Sequence, residues 1–176
     1  GVTLVKQGYT VETNTAAITY GNGSNPRDLQ NYDLLVIDEP NTSFTTAEKT
    51  AILSYVQNGG GLVAVSDHSG SDRNSDGVDS PQIWNALDPT HLLGVHFQVA
   101  GESNNNIVQT STNVNGSGSD PVTHGPLGTV TGLAFHNGTT MTLFPGTNPT
   151  VRGEVWMNGL SQTSTSGLMC ASAGYG

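Results

Sequence analysis

Asp67-His68-Ser69-Gly70 follows directly on the run Leu62-Val-Ala-Val-Ser66, and Asp38-Glu39-Pro40 follows directly on Leu34-Leu-Val-Ile37. Carboxylates beside an imidazole are the groups that general acid–base chemistry uses, and they also ligate metals. If the two runs are neighbouring strands, Asp38, Glu39, Asp67 and His68 converge at one crevice. Open α/β sheets bind ligands at the carboxyl ends of their strands, which is where these residues fall. Acids at strand ends also cap helices and satisfy loop amides, and Asp38 and Glu39 fit that simpler role too. His124, in Asp120-Pro-Val-Thr-His124-Gly125, ends a polar stretch able to fold over the same strand ends.

The next segment, Asp72-Arg-Asn74-Ser-Asp76-Gly77-Val78-Asp79, places oxygen-bearing side chains at alternate positions before a glycine. That is the opening of a calcium loop, D-x-[DN]-x-[DN]-G. Alternation turns the carboxylates inward, and the glycine permits the sharp turn. The expected ligands are Asp72, Asn74, Asp76, Asp79 and the backbone carbonyl of Val78, around Ca²⁺ or a similar hard cation. Position twelve is Ile83 and not the Glu of an EF-hand, and no helix precedes the loop. An acidic turn that only starts the following helix satisfies the same residues. His91, His96 and His136 stand singly and read as ordinary half-buried histidines. Cys170, in an apolar run, reads as a buried inert thiol. Trp84 reads as core, and Trp156 as core or as a ring for a sugar to stack on.

The elements that must position these residues show an α/β rhythm in the first half. Val2–Gly8 reads as a helix end closed by glycine, and Tyr9–Val11 as the start of a strand. Tyr32–Ile37 and Leu62–Ser66 are short apolar runs, as in strands buried on both faces. Between them Thr45–Val56 is the best helix, with Thr45 and Glu48 spaced as a capping box and Ala51, Ile52, Tyr55 and Val56 as its apolar stripe. Gly59–Gly61 stops it. Ser80-Pro81 starts another helix, with Ile83, Trp84 and Leu87 facing inward. Strand, helix, strand, helix predicts a parallel sheet with helices on both sides.

From Gly101 to Gly125 the chain is mostly Asn, Ser, Gly and Thr, which predicts a long irregular excursion. Short β-like runs follow at 129–135, 140–144, 153–157 and 167–173, expected as antiparallel additions to the sheet edge. The expectation is a single domain over residues 1–176. It opens inside a helix and stops at a turn, as a fragment lacking its first and last strands would.

Leu4-Val-Lys-Gln-Gly-Tyr-Thr-Val11, Leu34-Leu-Val-Ile-Asp38 and Ile52-Leu-Ser-Tyr-Val-Gln-Asn-Gly-Gly-Gly-Leu-Val-Ala-Val65 together resemble the class I glutamine amidotransferase-like superfamily, nearest to its ThuA-like (trehalose-utilisation-like) branch. Asp120-Pro-Val-Thr-His-Gly125 is similar to that branch's His-Pro-Ile-Thr-type segment, with Asp where His is usual. The resemblance covers residues 4–66 well and the rest loosely. It implies a flavodoxin-like fold: a three-layer α/β sandwich with a mostly parallel sheet, here with extra edge strands in the second half. It also implies a catalytic group on the turn after the strand that follows the glycine-rich helix end. Enzymatic branches carry Cys or Ser there. Here the turn reads Ser66-Asp67-His68-Ser69-Gly70, with His68 at the nucleophile position, so Cys-dependent glutaminase chemistry is not expected. Ser69 is one residue out of register and serves as nucleophile only if the turn is shifted.

Composition narrows the partners. Five Lys+Arg against fourteen Asp+Glu give a formal charge of −9, which argues against nucleic acid and against anionic membrane surfaces. No apolar run approaches the roughly 20 residues of a membrane span. One cysteine excludes an internal disulfide framework and a cysteine-based zinc site. Lysine is scarce while Ser, Thr, Asn and Gly abound, and the chain begins at Gly1, which together suggest a secreted protein with its signal peptide removed. Two functions fit. One is a secreted hydrolase on a carbohydrate-related or ester substrate, with Asp67 and His68 as acid–base pair, Asp38, Glu39 and His124 in support and a cation beside the crevice. The other is a non-catalytic domain of a larger extracellular protein that binds glycan or protein.

Overall fold

The structure, a computed structural model, describes residues 2–175. The chain divides into two compact units, residues 1–35 with 45–61 and residues 36–44 with 62–176. In the first unit α1 (Val2–Lys6) is a short exposed helix. It closes at Gly8, whose φ of +93° suits glycine. Residues 9–11, expected as a strand, form no regular element and stay exposed. A single turn of 3₁₀ helix at Leu29–Asn31 is capped by buried Asp28. That carboxylate also accepts from the Thr19 hydroxyl (2.7 Å) and from the N–H groups of Gly21 (2.9 Å) and Asn22 (2.8 Å). Burial pushes its pKa up, but these hydrogen bonds outweigh burial and leave it lowered.

Strand β1 (Leu34–Asp38) leads to α2 (Thr46–Gln57), then to β2 (Gly61–Val65). Thr45 and Glu48 form the expected capping box, and Ala51, Ile52 and Tyr55 are buried. The Tyr55 hydroxyl donates to the Tyr32 carbonyl at 3.1 Å. Its ring lies so close to Gly60 that a Cβ there would sit 2.3 Å from it, so the helix stop must be glycine. β1 and β2 form a two-stranded sheet. Gly61 N–H donates to the Asp33 carbonyl and Glu39 N–H to the Val65 carbonyl, so the two strands run in the same direction.

In the second unit α3 (Ser80–Leu87) buries Ile83, Trp84 and Leu87. The Trp84 indole donates to the Val65 carbonyl at 2.9 Å, and its ring packs near Phe44 and Phe97. Asn85 bonds both backbone groups of Phe97. The rest is strand and loop: β3 (Val95–Phe97), β4 (Ile107–Ser111), β5 (Asn113–Val114), β6 (His124–Gly125), β7 (Gly128–Thr129), β8 (Leu133–Gly138), β9 (Met141–Leu143), β10 (Arg152–Trp156) and β11 (Ser166–Ser172). Five of them form one sheet in the order β3-β9-β11-β10-β5, every pairing antiparallel. Its core cluster is Leu143, Val151, Trp156 and Leu168. β4 pairs with β8, and β6 with β7, each antiparallel.

This corrects the expected flavodoxin-like three-layer sandwich. Strand makes up 26% and helix 16% of the chain, and the sheets are mostly small and antiparallel. The β-α-β-α rhythm ends at α3, because among the described residues no third strand joins β1 and β2. The short strands of the second half are not additions to that sheet; they pair with one another. Nor are β1 and β2 covered on both faces. Val36 is 56% exposed, and Leu34, Val63 and Val65 are exposed as well. The expected excursion is partly ordered too: the β-branched Ile107 and Val108 open β4, which zips onto β8.

Candidate functional site

Every residue of the candidate site lies in the second unit. β2 ends at Val65, and the chain turns at Ser66 and Asp67. Ser80, the first residue of α3, fixes that turn. Its hydroxyl accepts from the Asp67 N–H at 2.9 Å and bonds the Ser66 hydroxyl at 2.9 Å. Asp67 also forms a single antiparallel bridge with Gly138 at the end of β8. The strand end is thus held from two sides, by the Ser80 hydroxyl and by a backbone bridge.

Asp67 Oδ1 lies 2.7 Å from His68 Nδ1 and accepts the His68 backbone N–H at 2.8 Å. Both side chains are largely sheltered, at 13% and 16% exposure. Burial pushes the Asp67 carboxyl up, but hydrogen bonds from the His68 ring, the His68 N–H and Ser71 outweigh it and leave it below the ordinary aspartate value. An ionised carboxylate can only accept, so Nδ1 carries a proton, and in the neutral ring Nε2 presents its lone pair. Nε2 has no partner among the described residues and is not a buried orphan, so it opens to solvent.

Arg73 completes the cluster. One of its nitrogens, Nη2, bonds Glu39 Oε2 at 2.8 Å and Asp67 Oδ2 at 3.2 Å. Glu39 has a φ of +45°, a left-handed conformation that costs a non-glycine residue on the order of 1–3 kcal/mol. Its N–H is tied to Val65 at the end of β2, so the turn after β1 holds the carboxylate against Arg73. The structure therefore brings together Asp67, His68, Glu39 and Arg73. Asp38 is exposed and its side chain has no hydrogen bond or ion pair among the described residues. His124 stands on the β6–β7 ribbon with its Nδ1 3.0 Å from the Thr123 hydroxyl, and no such bond joins it to Asp67 or His68. Ser69 does not face His68 through a hydrogen bond; its hydroxyl accepts from the Ala100 N–H at 3.0 Å.

The loop from Asp72 to Asp79 wraps on itself. Asp72 accepts the N–H groups of Asp76 (3.1 Å) and Gly77 (2.8 Å), and Asp76 accepts that of Val78 (2.9 Å). Asn74 turns its amide nitrogen onto Asp76 Oδ2 and the Asn41 carbonyl. Asp79 reaches back to the Gly70 N–H with Oδ2 at 2.6 Å, while its buried Oδ1 has no partner. These are hard oxygen donors of the kind calcium takes. Among the described residues no three His, Cys, Asp or Glu side chains gather as a metal site. A cation here would rest on the expected set, Asp72, Asn74, Asp76, Asp79 and the Val78 carbonyl, with the Asn74 oxygen now accepting from the Asp76 N–H.

The remaining candidates are structural. His91 stacks on Phe144 at 4.0 Å, and His96 pairs with Glu102 at 3.0 Å. His136 is exposed on β8. Burial, reinforced by Glu154 and Asp120, pushes the Cys170 thiol up, away from the reactive thiolate. Trp156 is buried and donates to the Ser164 carbonyl.

Known proteins add a likeness of shape. The chain is similar in structure to the mmIFT52 N-terminal domain. The TM-score is 0.59 at 13% identity, over 98% of this chain and 76% of that one. No family model and no curated protein matches the sequence. At 13% identity the likeness to the mmIFT52 domain speaks for the fold alone and assigns no role to Asp67 or His68.

Sequence reasoning missed Arg73 and Ser80. Arg73 was visible as the one cation inside the acidic segment; charge arithmetic restricted to residues 67–79 points to it. Ser80 carried no signal beyond its place before Pro81.

Proposed function

We propose that the chain is a secreted hydrolase acting on an ester or a carbohydrate-related substrate, with His68 as general base and Asp67 as the group that orients it. The observation that carries this reading is the 2.7 Å contact between Asp67 Oδ1 and His68 Nδ1, with a carboxylate held ionised and Nε2 open to solvent. A base of that kind removes a proton from water as it attacks, and the carboxylate stabilises the imidazolium that forms. Ser66 and Ser80 hold the turn, and the Ser69 hydroxyl sits against the Ala100 N–H and not against His68, which favours water over serine as the nucleophile.

The test is turnover of nitrophenyl esters and nitrophenyl glycosides by the purified chain. His68→Ala should lower the rate on any accepted substrate about 10²- to 10⁴-fold in a chain that stays folded, as cooperative thermal unfolding would show. Equal turnover by the two proteins would overturn the proposal. So would an absence of turnover across both substrate classes.

A further inference from the structure

Away from the Asp67–His68 pair, a groove of about 360 Å³ opens beside β10 and the loop at residues 161–165. We propose that it is a saccharide-binding site, taking a neutral, hydroxyl-rich ligand of one or two rings. Its volume lies at the lower end of ordinary small-ligand sites.

The polar lining is held in place and left with spare valence. Arg152 Nε is locked by Glu154 Oε1 at 2.9 Å and Asp120 Oδ2 at 3.3 Å. Its two terminal nitrogens have no partner among the described residues, and the side chain is half exposed. Gln162 anchors its amide nitrogen to Asn113 Oδ1 (3.1 Å) and the Val114 carbonyl (2.7 Å), which leaves its carbonyl oxygen free to accept. The Thr165 hydroxyl, exposed and without a partner among the described residues, can do either. Donors, an acceptor and a hydroxyl fixed around one concavity match a ligand whose every hydroxyl both gives and takes.

Charge excludes the obvious competitor. The one guanidinium stands against two carboxylates, so this corner carries no net positive charge and does not favour phosphate, sulfate or a carboxylate. The apolar lining of Leu143, Pro145 and Val151 suits the C–H face of a sugar ring. The groove's wall is stiff, because the Trp156 indole donates to the Ser164 carbonyl at 3.0 Å and so fixes the 161–165 loop; a preformed site loses less entropy on binding.

The experiment is an NMR titration of the isotope-labelled chain with glucose, maltose, cellobiose and N-acetylglucosamine, with sodium sulfate as the anion control. At least one sugar should shift the amides of Gln162, Thr163 and Thr165 and saturate in the millimolar range. Thr163→Trp, which fills the groove, should abolish those shifts, and Gln162→Ala should weaken binding at least about threefold. His68→Ala should bind as the parent does, which separates this site from the hydrolytic proposal. The inference is overturned if no sugar perturbs the groove, if sulfate binds there more tightly than every sugar, or if a folded Thr163→Trp still binds. Should Thr163→Trp fail to fold, unchanged affinity in Gln162→Ala overturns it instead.

Discussion

The second unit carries two arginines and no lysine, and each arginine bridges two carboxylates. Arg73 joins Glu39 and Asp67; Arg152 joins Asp120 and Glu154. The charges are the same and the surroundings are not. Around Arg152 the acids are sealed: Glu154 is fully buried and also bonded by Asn115 and Ser172. Around Arg73 the guanidinium is 59% exposed, Glu39 a third exposed, and an imidazole nitrogen is left open. A network of buried, multiply bonded carboxylates holds strands in register, with its guanidinium half exposed. An open one, with a proton acceptor at its edge, is able to change state. Two carboxylates and an arginine do not define a site; what surrounds them does.

The sharpest way to break that contrast is to remove each arginine. Arg152→Ala removes a hydrogen-bond partner from the buried side chains of Glu154 and Asp120, and leaving buried acceptors short of a donor costs about 1–3 kcal/mol. Chemical denaturation should show that loss. Adding Glu154→Gln to Arg152→Ala should restore much of it, since a neutral amide needs no counter-charge. A single variant as stable as the parent would place the Arg152 cluster in the same class as the Arg73 cluster.

The next effect concerns the loop that carries Arg73. If it holds Ca²⁺, free calcium at about 100 times the dissociation constant stabilises the chain by about 2.7 kcal/mol. Melting of chelator-stripped protein with and without millimolar Ca²⁺ checks this. The gain should vanish in Asp72→Ala, which deletes the carboxylate that receives the N–H groups of Asp76 and Gly77. An equal gain in parent and variant would detach calcium from this loop.

Which of the two clusters the sequence could reveal follows from chain distance. Asp67, His68 and the Asp72–Asp79 loop are neighbours in sequence, so their types and spacing were readable, as were the Thr45–Glu48 cap and the Ser80–Leu87 helix. The Arg152 cluster joins Asn115, Asp120, Glu154 and Ser172 across β10 and β11, and nothing local announces it. The same limit explains the fold. Two apolar runs flanking a good helix look alike whether they seed a large parallel sheet or stay a pair. The hydrophobicity of Leu34, Val36, Val63 and Val65 suits strands buried on both faces, yet exposure is decided by which strands join them. The strands of the second half are short, polar and interrupted, so their pairing order β3-β9-β11-β10-β5 had no counterpart in periodicity.

The smallest effect is the most discriminating for the open cluster. Arg73→Ala should cost only about 0.5 kcal/mol, because an exposed pair gains little from its charges. Its acid limb should be unchanged. Asp67 is pushed up by burial and, more strongly, held down by His68 and Ser71, so its folded value lies below its unfolded one. The unfolded chain then takes up the proton first, and the stability Asp67 contributes is complete above about pH 3.9 and lost as pH falls through the lower folded value. Acid denaturation of Asp67→Asn should lose that part of the pH dependence, whereas Arg73→Ala should keep it. If Arg73→Ala flattens the acid limb as Asp67→Asn does, the arginine and not the histidine holds the carboxylate ionised, and the orientation of His68 would have to be sought elsewhere.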